Sequence, residues 1–214
     1  RVLTSGVVYA EISHFSQTTP HDFRERVSEL IADNAAVSGV IIDLRRNSGG
    51  SMLGSSAIGD LFLEEGLLIS TAGRTGGPVS GLTARVEAGR NTPFATLPIA
   101  FLTSGRTASG SELLAASLRN HGRAILVGER TFGKGTVQKT YSLGPDSALK
   151  ITVGRFLPNR RPIPGGGLTP DVEFRRYRLT NAGASVPTEP RSELPFWLRA
   201  PAGFEDKGHP ATAI

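Results

Sequence analysis

The chain has 214 residues, 38% of them apolar and 20% charged, with a formal net charge of +5 and no cysteine. That length suits one sizeable domain, or one domain and a small appendage. The missing cysteines exclude disulfides, thiolate metal sites and a cysteine nucleophile.

The apolar runs are only a few residues long, far short of the ~20 needed to cross a bilayer. No secretory signal pattern is visible in the sequence given. Arginines are scattered apart from the pairs at 45–46, 160–161 and 175–176. The positive charge therefore reads as a solvated surface rather than a nucleic-acid site.

Taken in chain order, residues 6–12 form a short β-rich run. Thr19 can cap a helix with Pro20 at its first position, and Phe23, Val27, Leu30 and Ile31 then recur at helical spacing. Residues 40–44, VIIDL, are apolar up to Asp43, which predicts a strand buried on both faces by helices. RRNSGGS turns the chain, a helix is predicted over 52–63, and strands over 67–71 and 98–103 flank a Gly-rich irregular segment at 73–90.

A helix over 109–120 and a strand over 124–127 continue the alternation, after which the period changes to two. TVQKTYSL and LKITVGRFL, separated by Gly144, Pro145 and Asp146, predict a β-hairpin. The fold class is α/β, with a mostly parallel central sheet, flanking helices, the hairpin and an irregular C-terminal extension. Sites should then lie at the carboxyl ends of strands. Residues 175–214 are proline-rich, and in them only LPFWL around Trp197 can dock as an anchor.

Two motifs fail on local structure. GERTFGKGT, residues 128–136, resembles a phosphate-binding loop. Such a loop opens a helix and places Ser or Thr after its lysine; here Gly135 follows Lys134 and the next residues are β-branched and alternating. Ser147 to Lys150 matches S-x-x-K but enters a strand, where odd spacing points the two side chains to opposite faces. His14, His21, His121 and His209 show no metal-ligand spacing, and no G-x-S-x-G elbow occurs.

What remains is Ser109 in TASGSE and Lys134 in FGKG. Ser109 and Glu112 make S-x-x-E, which reads first as a helix capping box. A serine there is also placed for nucleophilic attack, because the Gly110 amide and the positive helix end can stabilise an oxyanion near its Oγ. With no eligible histidine, its base would be a lysine whose pKa is lowered by burial, and Lys134 between Gly133 and Gly135 can enter a closed pocket. Both readings of Ser109 stay open on the residues alone.

VIIDLRRNSGG, TSGRTASGSELLAASL, VGERTFGKGTVQ and LKITVGRFLPNRRPIPGGGLTPDVEF, in this order and at these separations, resemble the carboxyl-terminal processing (tail-specific) proteases, the S41 serine peptidases. The resemblance covers residues 6–174 and implies a ClpP/crotonase-like catalytic core over 1–174, with 175–214 as an extension. It implies Ser109 as nucleophile, Lys134 as general base and Gln138 as the residue that orients the lysine, which requires the chain to coil around Gly135. The oxyanion hole would pair the Gly110 amide with one from NSGG, Gly50 as the closest match and Gly49 as the alternative.

The sequence departs from the family pattern in places. Ser48 stands where proline is usual, Gly110 where alanine is usual, and Asn120 where some relatives carry Asp. The PDZ domain that commonly precedes such cores has no counterpart in these residues.

The implied activity is serine endopeptidase cleavage of protein substrates in their C-terminal regions, without metal or cofactor. The implied location is periplasmic or otherwise extracytoplasmic, and a homo-oligomer or a PDZ domain or adaptor outside this chain would be further partners. The rival is a non-catalytic peptide- or ligand-binding module of the same fold, with Ser109 only capping its helix.

Overall fold

The structure, a computed structural model, describes residues 1–174 apart from 35, 78, 80, 82–84, 90 and 91, together with the backbone of 177–179 and 185–187. Its elements are β1 (Val7–Glu11), α1 (Thr19–Ala32), β2 (Gly39–Asp43), α2 (Met52–Asp60), β3 (Leu67–Gly73), β4 (Arg85–Glu87) and β5 (Ile99–Thr103). Then follow α3 (Gly110–Asn120), β6 (Ala124–Gly128), β7 (Thr136–Gly144), β8 (Ser147–Pro158), β9 (Val172–Glu173), β10 (Tyr177–Leu179) and β11 (Ser185–Pro187).

Strands β1, β2, β5, β6 and β9 lie in that order in a five-stranded sheet, and every pairing in it is parallel. A four-stranded antiparallel sheet has the order β4-β3-β8-β7. Helix α3 packs against β6 of the first sheet and against β3 and β8 of the second. The core is closed by Val40, Ile42, Phe101 and Leu126 from the parallel sheet, Phe23, Ile58, Leu113 and Leu118 from the helices, and Leu68 and Ile69 from β3. Phe62 stacks edge-on to Phe23 and at a tilt to Phe94 in its middle.

Several expectations shift. The cap of α1 is Thr18, which makes no side-chain cap bond; the Ser16 hydroxyl instead receives the Thr18 and Thr19 amides. Helix α2 stops at Asp60, and its last turn tightens, Leu61 and Phe62 donating to Ile58 and Gly59. The short strand β4 lies inside the segment expected to be irregular, because three residues with charged ends carry no pattern.

Strand β3 leaves the parallel sheet and pairs antiparallel with β8, from Ile69 opposite Pro158 to Gly73 opposite Gly154. An apolar run specifies a strand but not its partner. Strand β2 is not buried on both faces by helices, since Ile41 on its second face is only half-buried. The predicted hairpin is β7 and β8, turning through Pro145 and Asp146. The extension at 175–214 lies largely outside the described residues, and there β10 and β11 pair with each other.

Candidate active site

The loops that follow β2 and β5 are bound to each other before either reaches the site. Asn47 is fully buried: its Nδ2 donates to Ile12 O at 2.9 Å and its Oδ1 accepts from Gly49 N at 2.8 Å. Its carbonyl accepts from Ala108 N at 3.2 Å and Ser111 Oγ at 3.0 Å. Thr107 Oγ1 donates to Leu44 O at 2.8 Å. A short polar side chain at position 47 thus sets the NSGG turn against the residues that lead into α3.

Ser109, at the N-cap of α3, is half-buried and has φ 55° and ψ −118°. A non-glycine residue in that region is strained by roughly 1–3 kcal/mol and persists only where its surroundings impose it. What imposes it is Glu112, whose side chain is fully buried. Its Oε2 accepts from Ser109 N at 3.0 Å and from Lys134 N at 2.8 Å. Its Oε1 accepts from Thr131 Oγ1 at 2.5 Å and from Gly133 N at 2.7 Å.

One carboxylate therefore holds the backbone of Ser109 and the loop of Lys134, with only a single oxygen between the two amides. Burial pushes the Glu112 carboxyl up, against the four hydrogen bonds, which favour its charged form.

The lysine loop is braced from outside. Thr131 Oγ1 also accepts from Leu168 N at 2.7 Å, and Phe132 N donates to Thr107 O at 3.0 Å. Gly133 has φ 96°, and a Cβ on it would stand 2.3 Å from Gly165 O, so glycine is required there. Gly135 differs from the expected pivot. Its φ is not positive; it is a close-approach residue, where a Cβ would sit 2.9 Å from the Ile163 Cβ. The irregularity lies instead on the partner strand, where Val153 of β8 is the extra residue between the pairs Val137–Gly154 and Gln138–Thr152, and Gln138 beside it is half-buried.

Lys134 is half-buried, and burial lowers its pKa below the usual lysine value, with the positive charge of Lys150 adding to the effect. Lys150 lies on β8 opposite Thr140. Lys150, the lysine of the S-x-x-K match, thus acts electrostatically on Lys134.

The NSGG turn reaches Ser109. A Cβ on Gly49, at φ 110°, would lie 2.8 Å from both Ala108 O and Ser109 Cβ. A Cβ on Gly110 would lie 3.5 Å from Gly50 N, which is ordinary contact. Neither the Gly50 nor the Gly110 amide donates a hydrogen bond to another described residue, and the two are neighbours. The arrangement can receive one oxyanion beside Ser109.

The site geometry gives a paired prediction. Gly110→Ala, which restores the family's usual residue, should leave stability within about 0.5 kcal/mol. Gly49→Ala should cost roughly 1–3 kcal/mol and any activity, since it meets backbone at a positive φ. Thermal melts of the two variants check this.

Asn120 is remote from these loops in its bonding. Its Nδ2 donates to Pro158 O at 3.0 Å and its carbonyl accepts from Asn159 Nδ2 at 3.2 Å, tying the end of α3 to the end of β8. His14 has no metal-ligand spacing in the sequence, yet its ring lies against Gly50, where an added Cβ would approach Nε2 to 2.9 Å. In the sequence Glu112 shows only as half of a capping box, and Asn47 and Thr131 carry no local signal of their roles. Among the described residues no cluster of potential metal ligands occurs.

Together these features define a layered α/β core with a strained serine at a helix N-terminus, a buried glutamate behind it and a glycine turn beside it. Residues 6–174 match peptidase family S41, and the chain belongs to that family. It is 33% identical over 190 residues to carboxyl-terminal-processing peptidase 3, chloroplastic, of Arabidopsis thaliana, covering 88% of this chain and 35% of that protein. It is 34% identical over 185 residues to the carboxyl-terminal-processing protease of Synechocystis sp., covering 86% and 42%.

Among solved structures it superposes on a photosystem II D1 C-terminal processing protease with a TM-score of 0.69 at 26% identity, covering 81% of this chain and 44% of that one. The chain thus spans between a third and a half of the length of these relatives.

Proposed function

We propose that the chain is the catalytic part of a serine endopeptidase, residues 1–174 forming the catalytic domain and 175–214 an extension. Ser109 is the nucleophile, Lys134 its general base, Gln138 the residue that orients the lysine, and the Gly50 and Gly110 amides the oxyanion hole. The observation that carries this reading is the shared Glu112 oxygen, which bonds the Ser109 and Lys134 amides together beside the glycine turn.

In the first step Ser109 Oγ attacks a peptide carbonyl carbon while neutral Lys134 Nζ takes the hydroxyl proton. The carbonyl oxygen becomes an oxyanion held by the two amides. Lys134 then gives its proton to the departing amine, leaving an acyl-serine. Water, deprotonated by the same lysine, attacks that ester and releases the new carboxyl terminus.

The names of the relatives support protein C-terminal regions as substrates, and their chloroplast and bacterial sources support an extracytoplasmic or lumenal location. Among the described residues no helix is long and apolar enough to cross a membrane.

The test is the pH–rate profile on an unfolded protein substrate. Only neutral Lys134 accepts the proton, so kcat should rise with pH and level off at a pH below the ordinary lysine pKa. Lys150→Ala removes a neighbouring positive charge and should move that limb to higher pH. Stability has its own sign: between the lowered and the ordinary pKa the unfolded chain holds more protons, so the fold gains stability as pH rises through that window. Lys134→Met removes the burial penalty and should be at least as stable as wild type at neutral pH while cleaving nothing. A wild type that cleaves no peptide bond, or a Lys134→Met variant that cleaves normally, overturns the reading.

A further inference from the structure

The segment between β1 and α1 carries His14, and its backbone is pinned to the NSGG turn. Asn47 Nδ2 donates to Ile12 O, Phe15 N donates to Gly49 O at 3.0 Å, and Ser51 N donates to Phe15 O at 2.7 Å. These bonds use residues 49 and 51 and leave the Gly50 amide open. His14, between Ile12 and Phe15, is therefore carried on backbone that is fixed beside Gly50.

Its imidazole takes the space that a side chain at position 50 would fill: a Cβ there would stand 2.7 Å from His14 Cε1 and 2.9 Å from Nε2. Nε2 thus lies within about 6 Å of the Gly50 amide nitrogen. Neighbouring polar side chains are committed within the fold, Asn47 Oδ1 to Gly49 N, Ser51 Oγ to Gly54 N and Ser111 Oγ to Asn47 O. His14 is exposed, and among the described residues neither of its ring nitrogens is hydrogen-bonded. It also borders a cavity of about 410 Å³ between β1 and α1. The walls of that cavity mix Ser13, Thr19 and Asp22 with Ile12, Phe23 and Val27, which suits an extended peptide and its polar backbone.

The two loops of the site reach Ser109 by separate bonds. The lysine loop is tied to it through Glu112, and the glycine turn is tied through Asn47 to Ala108 and Ser111. In the peptidase reading, on which this inference rests, Lys134 gives its proton to the departing amine. The leaving segment therefore runs on the lysine side, and the acyl segment runs past Gly50 to His14.

We propose that His14 is a substrate-binding residue of the peptidase site: a ring N–H donates to the backbone of the acyl segment, and the cavity beside the ring receives that segment. A peptide carbonyl that leaves water needs a donor in its place. A ring presented from pinned backbone loses little freedom in supplying one.

Two activated esters test this, one with a short peptide as its acyl group and one with acetyl alone. His14→Phe keeps an aromatic ring and loses the donor. It should lower kcat/KM on the peptide ester about 10-fold and leave the acetyl ester unchanged. His14→Gln keeps a donor and should stay within a few-fold of wild type on both. Both variants should melt within about 2 °C of wild type, because the ring has no bond in the fold. A peptide boronic acid, whose adduct on Ser109 carries the same acyl segment, should bind His14→Phe about 10-fold more weakly.

A His14→Phe variant as fast as wild type on the peptide ester would overturn the proposal. So would an equal loss on both esters, which would make His14 a part of the oxyanion turn alone. A wild type that turns over neither ester would instead remove the peptidase reading itself, and this inference with it.

Discussion

Ser109→Ala should abolish peptide hydrolysis, lowering kcat by roughly 10⁴-fold or more, and should leave the chain folded. Two effects separate cleanly at this position. Alanine lacks the hydroxyl that forms the acyl ester, so no amount of oxyanion stabilisation restores turnover by that route. The strained backbone at Ser109 is held by Glu112 through the Ser109 amide, which the substitution retains. Loss of a cap hydroxyl costs about 0.5–2 kcal/mol, each kcal/mol lowering Tm by roughly 2–4 °C for a chain of this size. If Ser109 served only to cap α3, the variant would show that stability change and unchanged cleavage. Paired activity and melting measurements therefore decide between the two roles.

The second large effect falls on Glu112. Its oxygens receive four donors, two apiece, so even the isosteric Glu112→Gln sets an amide NH2 against two N–H or O–H groups whichever way it is oriented. Glu112→Ala leaves four buried or half-buried donors without their acceptor. Each unsatisfied donor costs about 1–3 kcal/mol, so a loss of at least ~4 kcal/mol and a fall in Tm of roughly 10 °C are expected.

A purely structural role would end there. The shared oxygen between the Ser109 and Lys134 amides predicts more: well below its Tm, Glu112→Gln should still show a depressed kcat with KM little changed, because serine and lysine are no longer held together. Calorimetry beside steady-state kinetics at low temperature checks both parts. Normal kcat in a folded Glu112→Gln would remove Glu112 from the catalytic geometry.

Much of this was legible in the sequence, for identifiable reasons. Residues 40–44 gave a strand because Val40, Ile41 and Ile42 run apolar up to Asp43 and Leu44 follows it, and the glycines after it gave the turn. Period two over 136–157 gave the hairpin, with its turn residues in place. Ser109 and Lys134 stood out through local context, one at a helix start and the other between glycines.

What stayed hidden was set by contacts between distant residues. Glu112 showed its bond to Ser109, three residues away, but not those to Thr131, Gly133 and Lys134, which lie 19, 21 and 22 residues along the chain. The antiparallel partner of β3, 89 residues on where Ile69 meets Pro158, carries no local signature. Nor does the approach of Lys150 to Lys134, which depends on the hairpin folding back. VIIDL announced a buried strand, yet nothing in it says that helices would take one face and leave the other open.

The most direct test of the central claim is to trap the acyl-enzyme. The full chain is mixed with an activated peptide ester, quenched in acid within the first turnovers and digested for mass spectrometry. The account predicts an acyl adduct on the fragment that contains Ser109, absent from Ser109→Ala and strongly reduced in Lys134→Met. Cleavage that proceeds with no adduct on Ser109, or with an adduct on another residue, would contradict it.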